Sequence, residues 1–426
     1  MLKLENGRKF TMAKLTATSL VGLFIVVAGG FPQMAAAAEK GPIKIGFVAP
    51  LTGPFAQIGM DMVEGFKMFW NEKNYMAEGR KIEIIVEDEA GDPAVAVTKV
   101  RKLITHDKVN LIAGVFQGNV SYAIAPVCVE ARTPFVNTAS AADDLTQRKR
   151  SPYVLRICHT GGELGHVAGD YGYNKLGWRR VVTLGYDYSW GYETIGGFQR
   201  VFEELGGKVI QKMWVPVGTM DFGPYLASLK RQADGIFEGV TGGPSIRLIK
   251  ALRASGLMEK WKVMTPGTAT DETLLPALGD DAIGVYSVWN YSAALKTPEN
   301  IKFVEKVKTT LKKDLTMPIA INYTGGDWIM RAIAAVKGNV EDKEKFLQAL
   351  RSVNIPNALQ GPLKLDKYGH AIQNNYMRRV DKVGNTYQNT VIETYPLTTQ
   401  FYKYDPETYL KAPVYSRDYP SCKFCE

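Results

Sequence analysis

The chain has 426 residues, of which 46% are hydrophobic and 22% charged, and a formal net charge of +9 with acidic and basic side chains interspersed. No Lys/Arg block carries interleaved aromatics, so nucleic acid is excluded as an expected partner. No internal repeat or low-complexity segment points to a solenoid or a disordered chain.

The first 38 residues read as an export signal. Lys3, Arg8, Lys9 and Lys14 precede the uncharged apolar stretch 15–28, and Ala36 and Ala38 supply the small residues that a signal peptidase accepts. Cleavage after Ala38 is expected; the alternative is an uncleaved anchor, for which the apolar run is short. Removal takes the formal net charge to +6, since the segment carries four basic and one acidic side chain. The remaining roughly 388 residues exceed what one core holds and predict two domains.

Short β-rich apolar runs then alternate with amphipathic segments, the pattern of βαβ units and a parallel sheet. Strands are expected at 43–50, 81–87, 111–116, 134–137 and 153–157. Between them lie helices at 59–74, after Asp92-Pro93, and at 120–131, while the basic run 147–150 reads as a solvated loop. A second set has strands at 181–186, 208–215, 235–240 and 262–266, with a helix over 247–255 ended by Gly256. After Ser287 helices dominate, at 299–313, 323–337 and 342–353, and are expected to cross back onto the first set. A strand at 361–366 and a hairpin of 376–383 with 389–395 around Gly384-Asn385 close the pattern.

Motifs of catalysis are missing. The opening strand runs into Pro50-Leu51-Thr52-Gly53-Pro54 instead of GxGxxG, and no GxxxxGK[ST], GxSxG or HExxH occurs. His106, His159, His166 and His370 are scattered and read as surface or satisfied polar groups, not as a metal site. No enzymatic activity, metal or cofactor is expected. Cys128 and Cys158 read as small buried hydrophobes; Cys422 and Cys425, in SCKFCE after a Pro/Tyr-rich stretch, read as a disulfide of an exported protein, with a redox pair as the alternative.

Recognition has more candidates. Loops at the carboxyl ends of parallel strands bind ligands, and four here are small, polar and aromatic: 50–59, 116–121, 137–142 and 186–193. Gly118 and Asn119 open a helix whose N–H groups and dipole favour a carboxylate. Ser121 and Ser140 add hydroxyls, and Phe55, Phe116, Tyr188, Trp190 and Tyr192 offer flat apolar walls. Singly, each aromatic suits a core equally well, and the Gly-Asn-x-Ser start suits plain N-capping. Their clustering at strand ends favours a site.

The runs IKIGFVAPLTGPFAQIGMDMVEGF, VEDEAGDPAVAVTKVRKLI, LIAGVFQGNVSYAIAPVCVEARTPFVNTASAADDLT and LGYDYSWGYE resemble the periplasmic leucine-binding family of solute receptors, over about residues 43–395. The resemblance implies a type I periplasmic binding protein, an α/β fold of two doubly wound parallel-sheet lobes joined by three crossing segments. Residues 43–159 and 290–372 would form one lobe, 160–289 and 373–396 the other, and 397–426 a tail. It further implies a periplasmic substrate-binding protein of an ABC importer of the branched-chain amino acid type, with a small-molecule ligand and the permease subunits at the inner membrane as partners. Closure would hinge near residues 159, 289 and 372. A ligand sensor for a membrane receptor would share this fold.

The family's contact positions are matched here by Gly118 and Asn119 for the ligand carboxylate, by Ala139, Ser140 and Ala141 in the next loop, by Trp190 as the second lobe's aromatic lid, and by Thr241. Phe55, Gln57, Phe116, Gln117, Tyr188 and Tyr323 complete the expected ligand-binding set. Two positions depart from the family. Gly267 stands where amino-acid binders place an acidic residue for the ligand's ammonium, although Asp271 or Glu272 is near enough in sequence to take that role, and Ile58 replaces a frequent tyrosine. The expected ligand is therefore a hydrophobic or aromatic carboxylate, with a branched-chain or hydrophobic amino acid as the alternative.

Overall fold

The computed structural model describes residues 40–425, so the expected export segment and Glu426 lie outside the described residues. Strand β1 (Ile43–Ala49) enters helix α1 (Ala56–Glu72) through a polar loop, and a short hairpin of β2 (Met76–Ala77) and β3 (Arg80–Asp88) follows. Asp92 caps α2 (Pro93–Thr105), accepting from the N–H groups of Ala94 and Val95, with Pro93 in the first turn. Next come β4 (Leu111–Gly114), α3 (Gly118–Glu130), β5 (Phe135–Asn137) and β6 (Val154–Arg156). These strands form one sheet in the order β2-β3-β1-β4-β5-β6, parallel apart from the β2–β3 hairpin. Its central strands are apolar on both faces because helices cover both.

The second sheet is built from α4 (Gly161–Asn174), β7 (Arg180–Tyr186), α5 (Ser189–Glu204), β8 (Lys208–Val215), α6 (Gly223–Ala227), β9 (Gly235–Gly239), α7 (Gly243–Ala254), β10 (Lys262–Pro266), α8 (Leu275–Leu278) and β11 (Tyr286–Trp289). The chain then runs through α9 (Pro298–Leu311), α10 (Met317–Ala335) and α11 (Lys343–Ser352). It ends in β12 (Asn354–Ala358), β13 (Gly361–Leu365), β14 (Ala371–Val383), β15 (Thr386–Thr398) and α12 (Pro406–Lys411). Strand order is β12-β13-β14-β11-β10-β9-β7-β8, with β15 on β14.

Helix α10 returns to the first sheet, as expected, and packs along α1, where Tyr323 meets Phe69 edge to face at 5.3 Å. The strand expected near 361–366 hangs on β14, and with it on the second sheet, while His370 bridges back to Arg156 at the edge of the first. The hairpin at Gly384-Asn385 is present and its arms are longer than expected, reaching back to Ala371 and on to Thr398. Helices α4 and α12 and strands β2, β11 and β12 had no counterpart among the expected elements.

The segment after β15 docks on the body. Phe401, Tyr409 and Tyr415 are buried together, and the Tyr415 hydroxyl lies 2.9 Å from His166 Nε2. A Cβ on Gly196 would stand 2.6 Å from the Tyr415 ring, so only glycine allows that approach. Cys422 and Cys425 form a disulfide beside β8. Among the described residues no helix is long and apolar enough to cross a membrane.

Candidate functional site

The residues around one narrow cavity follow the C-terminal ends of parallel strands. From the first sheet come Phe116 and Gly118 after β4, Ala139, Ala141 and Ala142 after β5, and His159 after β6. From the second come Tyr188, Trp190 and Glu193 after β7, Thr241 after β9, Thr268 after β10 and Trp289 at the end of β11. In open α/β sheets such positions are where ligands bind, because strand-end loops and helix N-termini converge there without a covering helix.

The walls are aromatic. His159 lies between two indoles, its ring centroid 3.9 Å from that of Trp289 and 6.4 Å from that of Trp190. The indoles meet edge to face at 6.3 Å. Phe55 backs Phe116 at 5.4 Å, and its ring borders the space that a side chain at Gly242 would occupy. Free room amounts to roughly one or two waters, so the walls stand closed. Phe116, Ala139 and Trp289 also border a second, closed apolar annex lined by Ile58, Met62, Met317, Pro318 and Ile321.

The polar atoms at this cavity are unusual because they lack partners. Thr241 Oγ1, Thr268 Oγ1, both indole nitrogens, Glu193 Oε2 and both nitrogens of His159 are buried without a hydrogen bond. Buried polar groups are normally satisfied, and a cluster of exceptions in one cavity points to an absent partner. Burial drives the His159 pKa down to about 3, so the ring is neutral, with the Asn290 amide beside it. Glu193 Oε1 accepts from the Tyr122 hydroxyl at 2.8 Å, and burial with Asp143 nearby pushes the Glu193 carboxyl well above the ordinary range.

A second buried network fixes the cavity from behind. Arg156 Nε donates to His370 Nδ1 at 3.0 Å, so that nitrogen carries no hydrogen and Nε2–H donates to Glu163 Oε2 at 2.9 Å. Burial opposes ionisation of Glu163, but hydrogen bonds from His370, Asn375 and Thr398 hold it below the usual carboxylate range. The Arg156 guanidinium also reaches the Ala142 and Asp143 carbonyls and the Thr146 hydroxyl.

The expected site residues divide clearly. Phe116, Gly118, Ala139, Ala141, Tyr188, Trp190 and Thr241 line the cavity, Ile58 lines its annex, and Phe55 stands behind. Asn119 and Ser140 adjoin it without lining it, each with a buried side-chain oxygen unpartnered. Four expected residues point elsewhere. Gln57 lies on the outer face of α1, bonded to Asp61, and the Gln117 side chain turns toward Gly91. Tyr323 bonds Glu72 on the far side of α1. At Gly267 the space for a side chain is filled by Arg378 and Trp289. Asp271 and Glu272 also stay outside the cavity, held by Thr273 and Asn389.

Ala142 and Glu193 fall in the expected loops 137–142 and 186–193 without being singled out there, His159 and Trp289 were expected only as hinge positions, and Thr268 was not foreseen. His159 is fully buried and unbonded, against the expectation of a surface or satisfied group. The signal was position: His159, Thr268 and Trp289 sit just past, or at, the end of a parallel strand, Ala142 in the loop after one, and Glu193 one turn into the helix that follows one.

A family model described as "Periplasmic binding protein" matches residues 42–385. Leu/Ile/Val-binding protein homolog 6 of Brucella melitensis is 29% identical over 377 residues, covering 86% of this chain and 94% of that protein. An ABC transporter substrate-binding protein from Sphaerobacter thermophilus is 33% identical with a TM-score of 0.79, over 84% of this chain and 98% of that one. A solute-binding protein of an R. palustris ABC transporter, solved in complex with 4-hydroxybenzoate, is 30% identical with a TM-score of 0.80 over the same shares.

Proposed function

The chain belongs to the periplasmic binding protein family of ABC transporter substrate-binding proteins, and on that premise we propose that its ligand is a small aromatic or otherwise apolar carboxylate. The cavity between the two sheets is the proposed binding site. Phe116, Tyr188, Trp190 and Trp289 would stack on the ligand's apolar body, and the annex at Ile58 would take its distal end. Gly118, at the N-terminus of α3, would face the carboxylate together with the start of α5.

The observation that carries this reading is Gly267. An α-amino acid brings a buried ammonium, which left unpaired costs several kcal/mol, and the chain has no carboxyl at 267, where the space a side chain would need is held by Trp289 and Arg378. The R. palustris relative that binds 4-hydroxybenzoate supports the same class of ligand. The Leu/Ile/Val-binding relatives favour a hydrophobic amino acid, for which Glu193 would be the one carboxyl in reach.

In this reading the lobes are 43–159 with 290–372 and 160–289 with 373–396, hinged near 159, 289 and 372. Ligand contacts made only in the closed form would drive closure, and the permease would read that form after export to the periplasm. A thermal-shift screen with hydrophobic amino acids and aryl acids tests the proposal, since a ligand raises apparent stability by mass action. Stabilisation by aryl acids supports it; stabilisation by leucine, isoleucine or valine alone defeats it.

A further inference from the structure

Glu193 is the only carboxyl among the described residues that line the cavity, and its two oxygens differ. Oε1 accepts from Tyr122, whose hydroxyl in turn accepts the Asp144 N–H at 2.9 Å. Oε2 is buried and has no partner. The geometry is fixed on both sides. Glu193 sits one turn into α5, and a Cβ on Gly161, at the start of α4, would stand 2.8 Å from Glu193 Cβ. Tyr122 stands one turn past Gly118 on α3, so its bond holds the carboxyl beside that helix's N-terminus.

The surroundings decide which form the carboxyl takes. Facing it are Tyr122 from α3, Asp143 from the turn after β5, Arg156 from β6 and Tyr188 from the loop before α5, while Glu163 on α4 faces Asp143 and His159 shares the cavity. Arg156 is the only cation in this set. Its guanidinium is committed to two carbonyls, a hydroxyl and His370, and Asp143 competes for its charge. An ionised Glu193 would be an uncompensated buried charge, so the carboxyl is protonated. Because Oε1 already accepts a hydrogen bond, the proton is free to sit on Oε2.

We propose that Glu193 is a specificity-determining residue that meets the ligand as a neutral carboxylic acid, donating from Oε2 to the ligand's carboxylate. This rests on the reading that the ligand is a carboxylate. It also gives Glu193 a role opposite to the one an amino-acid binder needs, where the same side chain would have to ionise and pair with an ammonium.

Calorimetric titration of 4-hydroxybenzoate and of leucine into the wild type, E193Q and E193M tests the proposal, with a melting curve for each ligand-free protein. E193Q keeps the acceptor for Tyr122 and places N–H donors at the free position, so it should bind 4-hydroxybenzoate within about threefold of the wild type. E193M fills the space without a polar group and should bind roughly tenfold more weakly or worse. Infrared difference spectra on adding 4-hydroxybenzoate should show a protonated-carboxyl C=O band shifting in the wild type and missing from E193Q, a readout that stands even if E193M does not fold. Loss of binding by about thirtyfold or more in E193Q, unchanged affinity in a folded E193M, or absence of that band would each overturn the proposal. Failure of the wild type to bind 4-hydroxybenzoate while it binds leucine would defeat the ligand class itself; binding by the wild type with loss in E193Q defeats only the role of Glu193.

Discussion

Arg378 and Gly267 share one space. Arg378 Nη2 donates to the Gly267 carbonyl at 3.2 Å, and a Cβ at 267 would press on that same nitrogen and lie 2.7 Å from Trp289 Cβ. Arg378, 1% exposed, is anchored further by Ser287 Oγ at 3.1 Å and the Tyr291 carbonyl at 2.9 Å, so it has no free rotamer to retreat into. The glycine is thus built into the wall behind Thr268 and Trp289.

Substituting an acid there should therefore fail to create an amino-acid receptor. Gly267→Asp is expected to cost about 3 kcal/mol or more in denaturant unfolding, through overpacking at Arg378 and Trp289, and to leave leucine binding undetectable by calorimetry. A stable variant that gains leucine affinity would show that the wall yields.

The aromatic lid offers a cleaner probe. Trp190 is packed on His159 and Trp289 and its indole nitrogen is unbonded, so truncation breaks no hydrogen bond. Trp190→Ala should weaken 4-hydroxybenzoate by roughly tenfold to a hundredfold. Tyr323→Phe and Gln57→Ala, whose side chains lie outside the cavity, should leave that affinity unchanged in the same titrations.

Glu89 provides a test by pH. Both of its carboxylate oxygens are buried without partners, and burial raises its pKa from the ordinary 4.5 to about 8. A carboxyl with a raised folded-state pKa stabilises the fold in its protonated form, and that contribution is lost as pH climbs from about 4.5 through about 8. The stability of Glu89→Gln relative to the wild type should therefore rise by about 1–3 kcal/mol between pH 4.5 and pH 8.5. Urea melts at the two pH values measure it; a difference independent of pH would contradict the assignment.

The C-terminal segment should contribute to stability through packing more than through its disulfide. Tyr404 and Tyr409 lie under the Arg200 guanidinium at 3.8 and 4.6 Å, Arg148 donates to the Ala412 carbonyl at 2.6 Å, and Tyr415 fills the approach to Gly196. Deleting residues 400–426 is expected to cost about 3 kcal/mol or more. The Cys422–Cys425 disulfide closes only a very short loop, so replacing both residues by serine should cost less than about 2 kcal/mol. Equal costs in thermal melts would reverse that ranking.

The alternating strands and helices up to β6 were legible because parallel strands buried on both faces read as apolar runs, and Asp92-Pro93 and Gly384-Asn385 carry their own local geometry. Helix α4 was not, since GGELGHVAGDYGYN has five glycines and poor intrinsic propensity. It forms because those glycines let α4 and α5 pack backbone to backbone, a tertiary effect with no local signal. The cavity was half legible for a related reason. Phe116, Gly118, Ala139, Ala141, Tyr188 and Trp190 sit in loops whose composition advertises recognition. His159 and Thr268 sit in loops of ordinary composition, Trp289 ends a strand that escaped notice, and Glu193 closes an expected loop, 186–193, from which only the aromatics were taken as site residues. Gln57 shows the converse: a residue near the right loop is aimed by its helix face, and a helix turns adjacent side chains about 100° apart; Gln117 precedes α3 in extended backbone, and Tyr323 lies inside α10, away from the loops.

On the proposed function, this cavity selects an apolar carboxylate over an α-amino acid. The most direct measurement is calorimetric titration of the purified protein with 4-hydroxybenzoate and, separately, with leucine at pH 7. Micromolar or tighter binding of the acid, at least roughly a hundredfold stronger than leucine, is the expected result. Tight leucine binding with no heat from 4-hydroxybenzoate or benzoate would contradict it.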